Sequence, residues 1–183
     1  MLPEVGAEIL VRPRVDEDLP LLAAAIRSLH ETDGYPQTLP DDTVAWLRPP
    51  RQRRAWVAVS PSTREIAGHI ALNVAEGDPG VGVSSDGTGL KPDKLAVVSR
   101  LFVVAGHRRK GVAKALLDEA VNAAHADGLQ PVLDVLEADR AAITLYKSAG
   151  WRSLAPIMFR SRAGEPLPAL VFAGPPPPDS AAR

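Results

Sequence analysis

A short basic segment that follows an apolar run has the residue types of an anion-binding turn. Residues 101–117 read LFVVAGHRRKGVAKALL, in which a strand-like run leads through a basic turn into an amphipathic helix. The first amides of a helix have no partner within the helix, and the helix dipole places partial positive charge there. Gly111 keeps a side chain away from an approaching ligand. The segment therefore predicts a pyrophosphate site formed mainly by backbone amides.

Two common phosphate-binding patterns do not fit this segment. The Walker A loop, GxxxxGK[ST], and the dinucleotide fingerprint, GxGxxG, require residues after Gly106 or Gly111 that this chain lacks. The pattern R-x-x-G-x-A does fit, with Arg108, Gly111 and Ala113. Such a short pattern recurs by chance, so its weight depends on a second segment further along the chain.

The second segment is residues 139–151, DRAAITLYKSAGW, which matches N-x-x-A-x-x-L-Y-x-x-x-G-[FW] except at its first position. Taken together and in this order, the two segments resemble the coenzyme A signature and the closing motif of the GNAT superfamily of N-acetyltransferases. The resemblance covers roughly residues 8–160 and is strongest over 95–151. Asp139 stands where the family commonly has Asn, and an ionised carboxylate only accepts hydrogen bonds.

The resemblance implies a fold and a domain organisation. We expect an α/β (α+β) fold with a mixed, mostly antiparallel central sheet of about seven strands. Helices flank this sheet, which is splayed at the strand preceding the cofactor helix. One acyltransferase domain is expected over residues 1–174, followed by a disordered Pro-rich tail over 175–183.

The resemblance also implies a cosubstrate and a reaction. Acetyl-CoA and a primary amine would bind together, and the amine would attack the thioester directly, without a metal. The expected cofactor-binding residues are Leu101, Phe102, Val103, Arg108, Arg109, Lys110, Gly111, Val112, Ala113, Lys114 and Asp139.

Tyr146 looks like the family's tyrosine that protonates the departing thiolate. A free tyrosine titrates near pH 10 and a thiol near 8.5, so this proton transfer is uphill by about 2 kcal/mol before the site adjusts either value. For the proton lost by the amine, Glu137 is the candidate base. His69, the acids Glu31 and Asp33, and a relay through water remain alternatives.

Residues 31–42 carry four acids and no bases, and the resemblance places the acceptor entrance here. Glu31, Asp33 and Tyr35 would suit a cationic amine through charge attraction and cation–π contact. The alternative is an ordinary exposed loop whose acids cap helices.

Composition narrows the class of protein. The 183-residue chain has a formal net charge of -1, so we expect no nucleic-acid partner. It contains no cysteine, which excludes both disulfides and a cysteinyl acyl-enzyme. Without a long apolar run or a signal-peptide pattern, we expect a cytoplasmic protein with no membrane partner, acting as a monomer or homodimer.

Hydrophobic periodicity predicts the order of the elements. Strands are predicted at 8–14, 55–60, 65–75, 95–104, 131–137, 151–159 and 167–172. One helix is predicted to begin at Asp16, and a short one, capped by Asp41 or Asp42, to run through Leu47. A third is predicted over 110–127, and a fourth is predicted to be capped by Asp139 and ended by Gly150. Residues 77–94 have few core-forming side chains, and we expect a long mobile loop there.

Two other functions are compatible with the pattern. A catalytically idle acyl-CoA-binding sensor would keep the 108–113 turn and make Tyr146 dispensable. A nucleotide-binding domain could use the same strand, turn and helix for ATP, although the chain lacks the Lys-Ser/Thr pair of the Walker loop.

Overall fold

A computed structural model describes residues 9–161 and 163–177. The start of the predicted first strand and residues 178–183 of the predicted tail lie outside this part. The strands are β1 Leu10–Pro13, β2 Gln52–Val59, β3 Ile66–Val74, β4 Leu95–Val103, β5 Gln130–Leu136, β6 Arg152–Arg160 and β7 Pro166–Ala173. The α-helices are α1 Leu19–Asp33, α2 Thr43–Leu47, α3 Val81–Thr88, α4 Val112–Ala126 and α5 Arg140–Ser148. In the described residues, no helix is both long and apolar enough to cross a membrane.

The seven strands form one mixed sheet in the order β1-β2-β3-β4-β5-β7-β6. The β1–β2, β5–β7 and β6–β7 pairs are antiparallel, and β4 runs parallel to β5. This architecture confirms the predicted fold class.

The pairing between β4 and β5 stops early. It joins Leu95–Val97 to Gln130–Val132, although β4 continues to Val103 and β5 to Leu136. An early end of the ladder is what a sheet splayed at β4 requires, because diverging strands no longer exchange hydrogen bonds.

The prediction of a long mobile loop over 77–94 is wrong. The segment contains α3, followed by a short 3-10 turn at Pro92–Lys94. Helix propensity is low here, because VGVSSDGT is rich in glycine and β-branched residues. Tertiary packing stabilises the helix instead: Val81 packs against a buried cluster that includes Leu95 and Val132. Gly89 then ends α3 with a left-handed φ of +72°.

Two compact units are distinguished within the chain. Within the described part of the chain, the first comprises residues 9–50, 54–71 and 100–119. Its core is formed by α1, α2, β2 and Phe102, with Leu22, Ile26, Leu47 and Val57 fully buried. A Cβ added at Gly68 of β3 would come within 2.7 Å of the Phe102 carbonyl oxygen and 3.0 Å of Leu116. Glycine at this position therefore allows α4 to pack closely on the strands.

The described residues of the second unit are 51–53, 72–99, 120–161 and 163–177. One of its core clusters joins Ala75, Leu95, Val97, Val132 and Ala173, and Val81 and Leu154 pack against it. The two capping predictions are confirmed in separate units. Asp42 accepts a hydrogen bond from the Ala45 amide at 2.9 Å, and Asp139 accepts one from the Ala142 amide at 3.0 Å.

Candidate active site

The turn between β4 and α4 has the backbone geometry of an anion-binding site. Residues 108–113, which include the first amides of α4, are called the cradle below. Gly111 has a φ of +78°, a left-handed conformation that glycine adopts without strain. A Cβ added there would meet nothing within 4 Å. The need for glycine at this position therefore comes from its backbone conformation and not from a clash within the protein. Because α4 begins at Val112, the amides of Val112, Ala113 and Lys114 have no acceptor within the helix. The Ala115 amide donates to the Gly111 carbonyl oxygen at 3.0 Å.

Three basic side chains of this turn and of the start of α4 contact other groups of the protein. In the turn, Lys110 Nζ donates to the Gly106 carbonyl oxygen at 3.0 Å, and Arg108 Nε donates to the Val103 carbonyl oxygen at 3.3 Å. Within α4, Lys114 Nζ donates to Asp118 Oδ2 at 2.5 Å. Because these side chains already have partners, the main chain is the part best placed to bind a diphosphate.

Asp33, predicted to bind the acceptor, forms an ion pair with Arg108. The Arg108 guanidinium lowers the pKa of Asp33, chiefly through this hydrogen bond. Both side chains are partly exposed, so the pair is screened by solvent. Its effect is to connect the last residue of α1 to the cradle, and it neutralises one of the carboxylates expected to attract a cation.

Tyr35, also predicted to bind the acceptor, is half-buried in an aromatic cluster. Its ring centroid lies 6.4 Å from that of Trp46 and 6.2 Å from that of Phe102. Phe102 is the buried member of the expected cofactor strand, between the half-buried Leu101 and Val103. Glu31 is exposed on α1. The structure thus brings Tyr35 to the cofactor strand and Asp33 to the cradle, and it leaves Glu31 in solvent.

His69, one of the alternative bases, is part of a buried structural network. The Arg14 guanidinium lies 3.2 Å from His69 Nε2 and can only donate, so that nitrogen accepts. Nδ1 is then the donor to the Arg100 carbonyl oxygen at 3.0 Å. Burial lowers the pKa of His69 to about 3. With both nitrogens engaged, His69 has no free position from which to take a substrate proton.

Tyr146 lies on α5, where helix periodicity directs it into the second unit. Its ring is 7% exposed and packs against Trp151 at 5.8 Å and Phe172 at 6.2 Å between centroids. Gly150, with a φ of +82°, lets the chain turn directly after α5 so that Trp151 reaches this cluster.

Glu137 and Asp139 both lie just after the end of β5 at Leu136. Asp139 caps α5, and capping is a task that Asp and Asn perform about equally well. This explains why the departure from the family pattern leaves the helix intact. Glu137 is half-buried, and its amide donates to the Pro168 carbonyl oxygen at 2.9 Å.

Asp134, in the middle of β5, was not among the site residues predicted from the sequence. Its carboxyl is half-buried on a strand whose neighbouring positions are apolar. Burial raises the pKa of Asp134 to about 6, and the Asp78 carboxylate adds to the rise. One signal in the sequence could have revealed it: PVLDVL contains a single acid within an apolar run typical of a strand covered on both faces.

No group of three or more His, Asp or Glu side chains among residues 9–161 and 163–177 could hold a metal ion. The sequence profile of the Acetyltransferase (GNAT) family matches residues 22–151. The chain belongs to this family.

Solved structures show the same GNAT fold at low sequence identity. NAA60 of Arabidopsis thaliana, solved in complex with acetyl-CoA, matches with a TM-score of 0.68 at 19% identity, covering 91% of this chain and 97% of that one. The ribosomal-protein-alanine N-acetyltransferase of Brucella melitensis matches with a TM-score of 0.66 at 19% identity, covering 90% and 98%.

A third GNAT-like structure, yncA of Salmonella typhimurium, was solved with its cofactor acetyl-CoA. It matches with a TM-score of 0.67 at 16% identity, covering 91% of this chain and 92% of that one. No curated protein sequence matches the chain significantly. The family is therefore shown by the profile, and the fold by these structures.

Proposed function

We propose that this protein is an N-acetyltransferase that moves an acetyl group from acetyl-CoA to a primary amine. The observation that carries the proposal is the cradle, with a left-handed Gly111 directly before the first amides of α4. Membership of the acetyltransferase family and the presence of acetyl-CoA in similar structures support the identity of the cosubstrate.

In the proposed reaction both substrates bind together and the amine attacks the thioester carbonyl. Main-chain amides of Leu101 and Val103 pair with the pantetheine amides, and strand amides near Val103 polarise the thioester carbonyl. The remaining cofactor contacts come from the cradle and from Asp139. Tyr146 returns a proton to the sulfur as coenzyme A leaves. Glu137 remains the base predicted from the sequence.

The proposed acceptor is a soluble amine rather than a nucleic acid or a membrane component. A cationic amine would be attracted by Glu31 and Asp33 and would contact Tyr35. A protein N-terminus is another candidate class, because one similar structure is a ribosomal-protein-alanine N-acetyltransferase. We further propose a cytoplasmic monomer or homodimer.

An acetyl-CoA turnover screen tests this proposal. Release of coenzyme A should be measured against polyamines, aminoglycosides, amino acids and peptides with free N-termini. Turnover with at least one class, and a product heavier by one acetyl group in mass spectrometry, is the expected result. Acetyl-CoA binding without turnover on any amine would instead favour the sensor. Displacement of bound acetyl-CoA by ATP at similar concentration would favour the nucleotide-binding domain.

A further inference from the structure

Three neighbouring strands of the second unit carry a row of polar residues on one sheet face. Val97 of β4 pairs with Val132 of β5, and both side chains belong to the cluster that Val81 of α3 contacts. Side chains alternate along a strand, so Ser99 and Asp134, two residues further on, point to that same face. Asn73 of β3 joins the row, because its Nδ2 donates to Ser99 Oγ at 2.8 Å.

This row lies just beyond the end of the β4–β5 ladder. Val97 and Val132 are the last paired residues, and Asp134 comes two positions later. Along β4, Ser99 is followed directly by the segment whose amides are proposed to bind pantetheine. Asp134 is therefore an ionisable side chain at the level where the two strands stop pairing.

One buried acceptor in this row lacks a hydrogen-bond donor. Asn73 is 5% exposed, and its Oδ1 has no hydrogen-bond partner among the described residues. The Asp134 carboxylate is half-buried at the register position of Val171 on β7, and it accepts a hydrogen bond from its own main-chain amide. A buried acceptor without a partner is costly, and an amine nitrogen bound beside this row would supply an N–H group.

We propose that Asp134, in place of the Glu137 predicted from the sequence, is the catalytic residue that accepts the proton lost by the attacking amine, an inference that rests on the function proposed above. The free amine attacks the thioester carbonyl, and its nitrogen becomes cationic and acidic as the N–C bond forms. One N–H bond then breaks, and the proton passes to the Asp134 carboxylate. The C–S bond breaks, and sulfur gains a proton from Tyr146. Asp134 releases its proton to solvent, and Tyr146 regains one.

The charged groups around Asp134 favour this role. The loop before α3 presents Asp78, whose Oδ1 accepts from the Gly80 amide at 2.9 Å and whose Oδ2 lies 3.9 Å from Arg51 Nη2. On β7, the apolar Val171 is the pairing partner of Asp134. Ser99 lies two residues beyond the last paired residue of β4, as Asp134 does on β5. Asp86 of α3 is exposed. Burial and the Asp78 charge hold the pKa of Asp134 at about 6. This value suits a general base that works near neutral pH.

The test compares Asp134→Asn, Asp134→Glu and Glu137→Gln, with the exposed Asp86→Asn as control. Each variant is assayed from pH 5 to 9 with the best amine from the screen, and its acetyl-CoA binding is measured by calorimetry. Asp134→Asn should lose about 10²-fold or more in kcat/KM and keep its acetyl-CoA affinity within about twofold. Wild type should show a break near pH 6 in log kcat/KM that Asp134→Asn lacks. Asp134→Glu should restore at least part of the lost rate.

The outcomes separate the two proposals. Turnover that survives in Asp134→Asn, or a loss confined to Glu137→Gln, would overturn the role of Asp134 and leave the acetyltransferase proposal standing. An equal loss of acetyl-CoA affinity in Asp134→Asn would show a structural role and would also overturn it. Wild-type protein that binds acetyl-CoA and acetylates no amine would contradict the proposed function itself, and the inference about Asp134 with it.

Discussion

Tyr146 is the side chain whose proposed chemical role separates most cleanly from cofactor binding. Replacing Tyr146 with Phe removes the hydroxyl and keeps the ring that packs on Trp151 and Phe172. We expect kcat to fall on the order of 10²-fold, because the thiolate would leave without a positioned acid. Coenzyme A binding should change little. Steady-state kinetics and calorimetry on the same preparation check this, and unchanged turnover would remove Tyr146 from the mechanism.

The raised pKa of Asp134 also predicts how the stability of the fold changes with pH. Folding raises its pKa from 3.8 to about 6, so the folded state binds this proton more tightly than the unfolded state. Its contribution to the stability is present in full below about pH 4 and is lost as pH rises through about 6. A shift of roughly two pH units corresponds to at most about 3 kcal/mol.

Asp134→Asn should therefore increase the free energy of unfolding at pH 8, on the order of 2 kcal/mol, and change it little at pH 4. Urea denaturation at both pH values measures this, with Asp86→Asn as the matched control. A variant that is less stable than wild type at pH 8 would show that the carboxylate makes net favourable contacts in the fold.

At the residue scale, the sequence could predict residues that belong to motifs but not residues defined by tertiary contacts. Gly111 and Tyr146 belong to motifs and were identified from their spacing. Asp134 belongs to no motif. Its raised pKa comes from burial and from the charge of Asp78, a residue distant in sequence and near in the fold. The pairing of Asp33 with Arg108 is likewise a tertiary contact, across 75 positions of the chain.

The turn before α4 carries the first prediction at the scale of an element. Ala at position 111 would have to adopt a φ of +78°, which costs roughly 1–2 kcal/mol for a residue with a Cβ. Relaxation of this strain would move the amides at the start of α4, so Gly111→Ala should weaken acetyl-CoA binding at least about tenfold.

Gly106→Ala is the matched control for this change. Gly106 does not have a positive φ, and a Cβ there would meet nothing within 4 Å. Calorimetric titration of both variants with acetyl-CoA makes the comparison. Equal affinities in the two variants would show that the conformation of Gly111 does not organise the site.

The end of α1 carries a second prediction at this scale, because Asp33 and Glu31 differ in their contacts. Asp33 holds Arg108 of the cradle, and Glu31 is exposed. Asp33→Asn should therefore raise the KM for acetyl-CoA by about two- to fivefold, a modest effect expected of a partly exposed ion pair. Glu31→Gln should not change it.

Both variants should raise the KM for a cationic acceptor if these acids attract it, and the double variant should raise it further. Kinetics with one cationic and one neutral amine separate the two roles. An acceptor KM that neither variant changes would leave Asp33 with its contact to the cradle alone.

Helices and strands with a strong hydrophobic periodicity were predicted from the sequence, whereas α3, which tertiary packing stabilises, was not. The strands and α4 follow from alternating or 3.6-residue apolar patterns. Helix α3 has no such signal, because two of its eight residues are glycine. It is held by Val81 in the core cluster and by Leu154, which lies so close to Gly87 that a Cβ there would approach it to 2.9 Å. These contacts depend on strands far along the chain.

For the molecule as a whole, His69 predicts sensitivity to acid. Burial holds its pKa at about 3 against an ordinary value of 6.5, so the folded state excludes a proton that the unfolded state binds. Its contribution to the stability is intact above about pH 6.5 and declines as pH falls toward 3. The decline is about 1.4 kcal/mol per pH unit in that window.

Between about pH 4 and 6, the contribution of Asp134 to the stability increases as pH falls, whereas that of His69 decreases. The pH dependence due to His69 is therefore measured in the Asp134→Asn background. In that background the free energy of unfolding should fall steeply from pH 6.5 to 4.5, and His69→Gln should flatten the dependence. The same slope with and without His69 would assign the acid sensitivity to other groups.

Acetyl-CoA binding measured by isothermal titration calorimetry, alongside thermal unfolding, tests the central claim most directly. We predict one site per chain that Gly111→Ala weakens and Gly106→Ala does not. At a concentration of 100 Kd the ligand should stabilise the fold by about 2.7 kcal/mol. Saturating acetyl-CoA that produces neither heat nor a rise in Tm would contradict the claim that the turn before α4 binds the diphosphate of this cosubstrate.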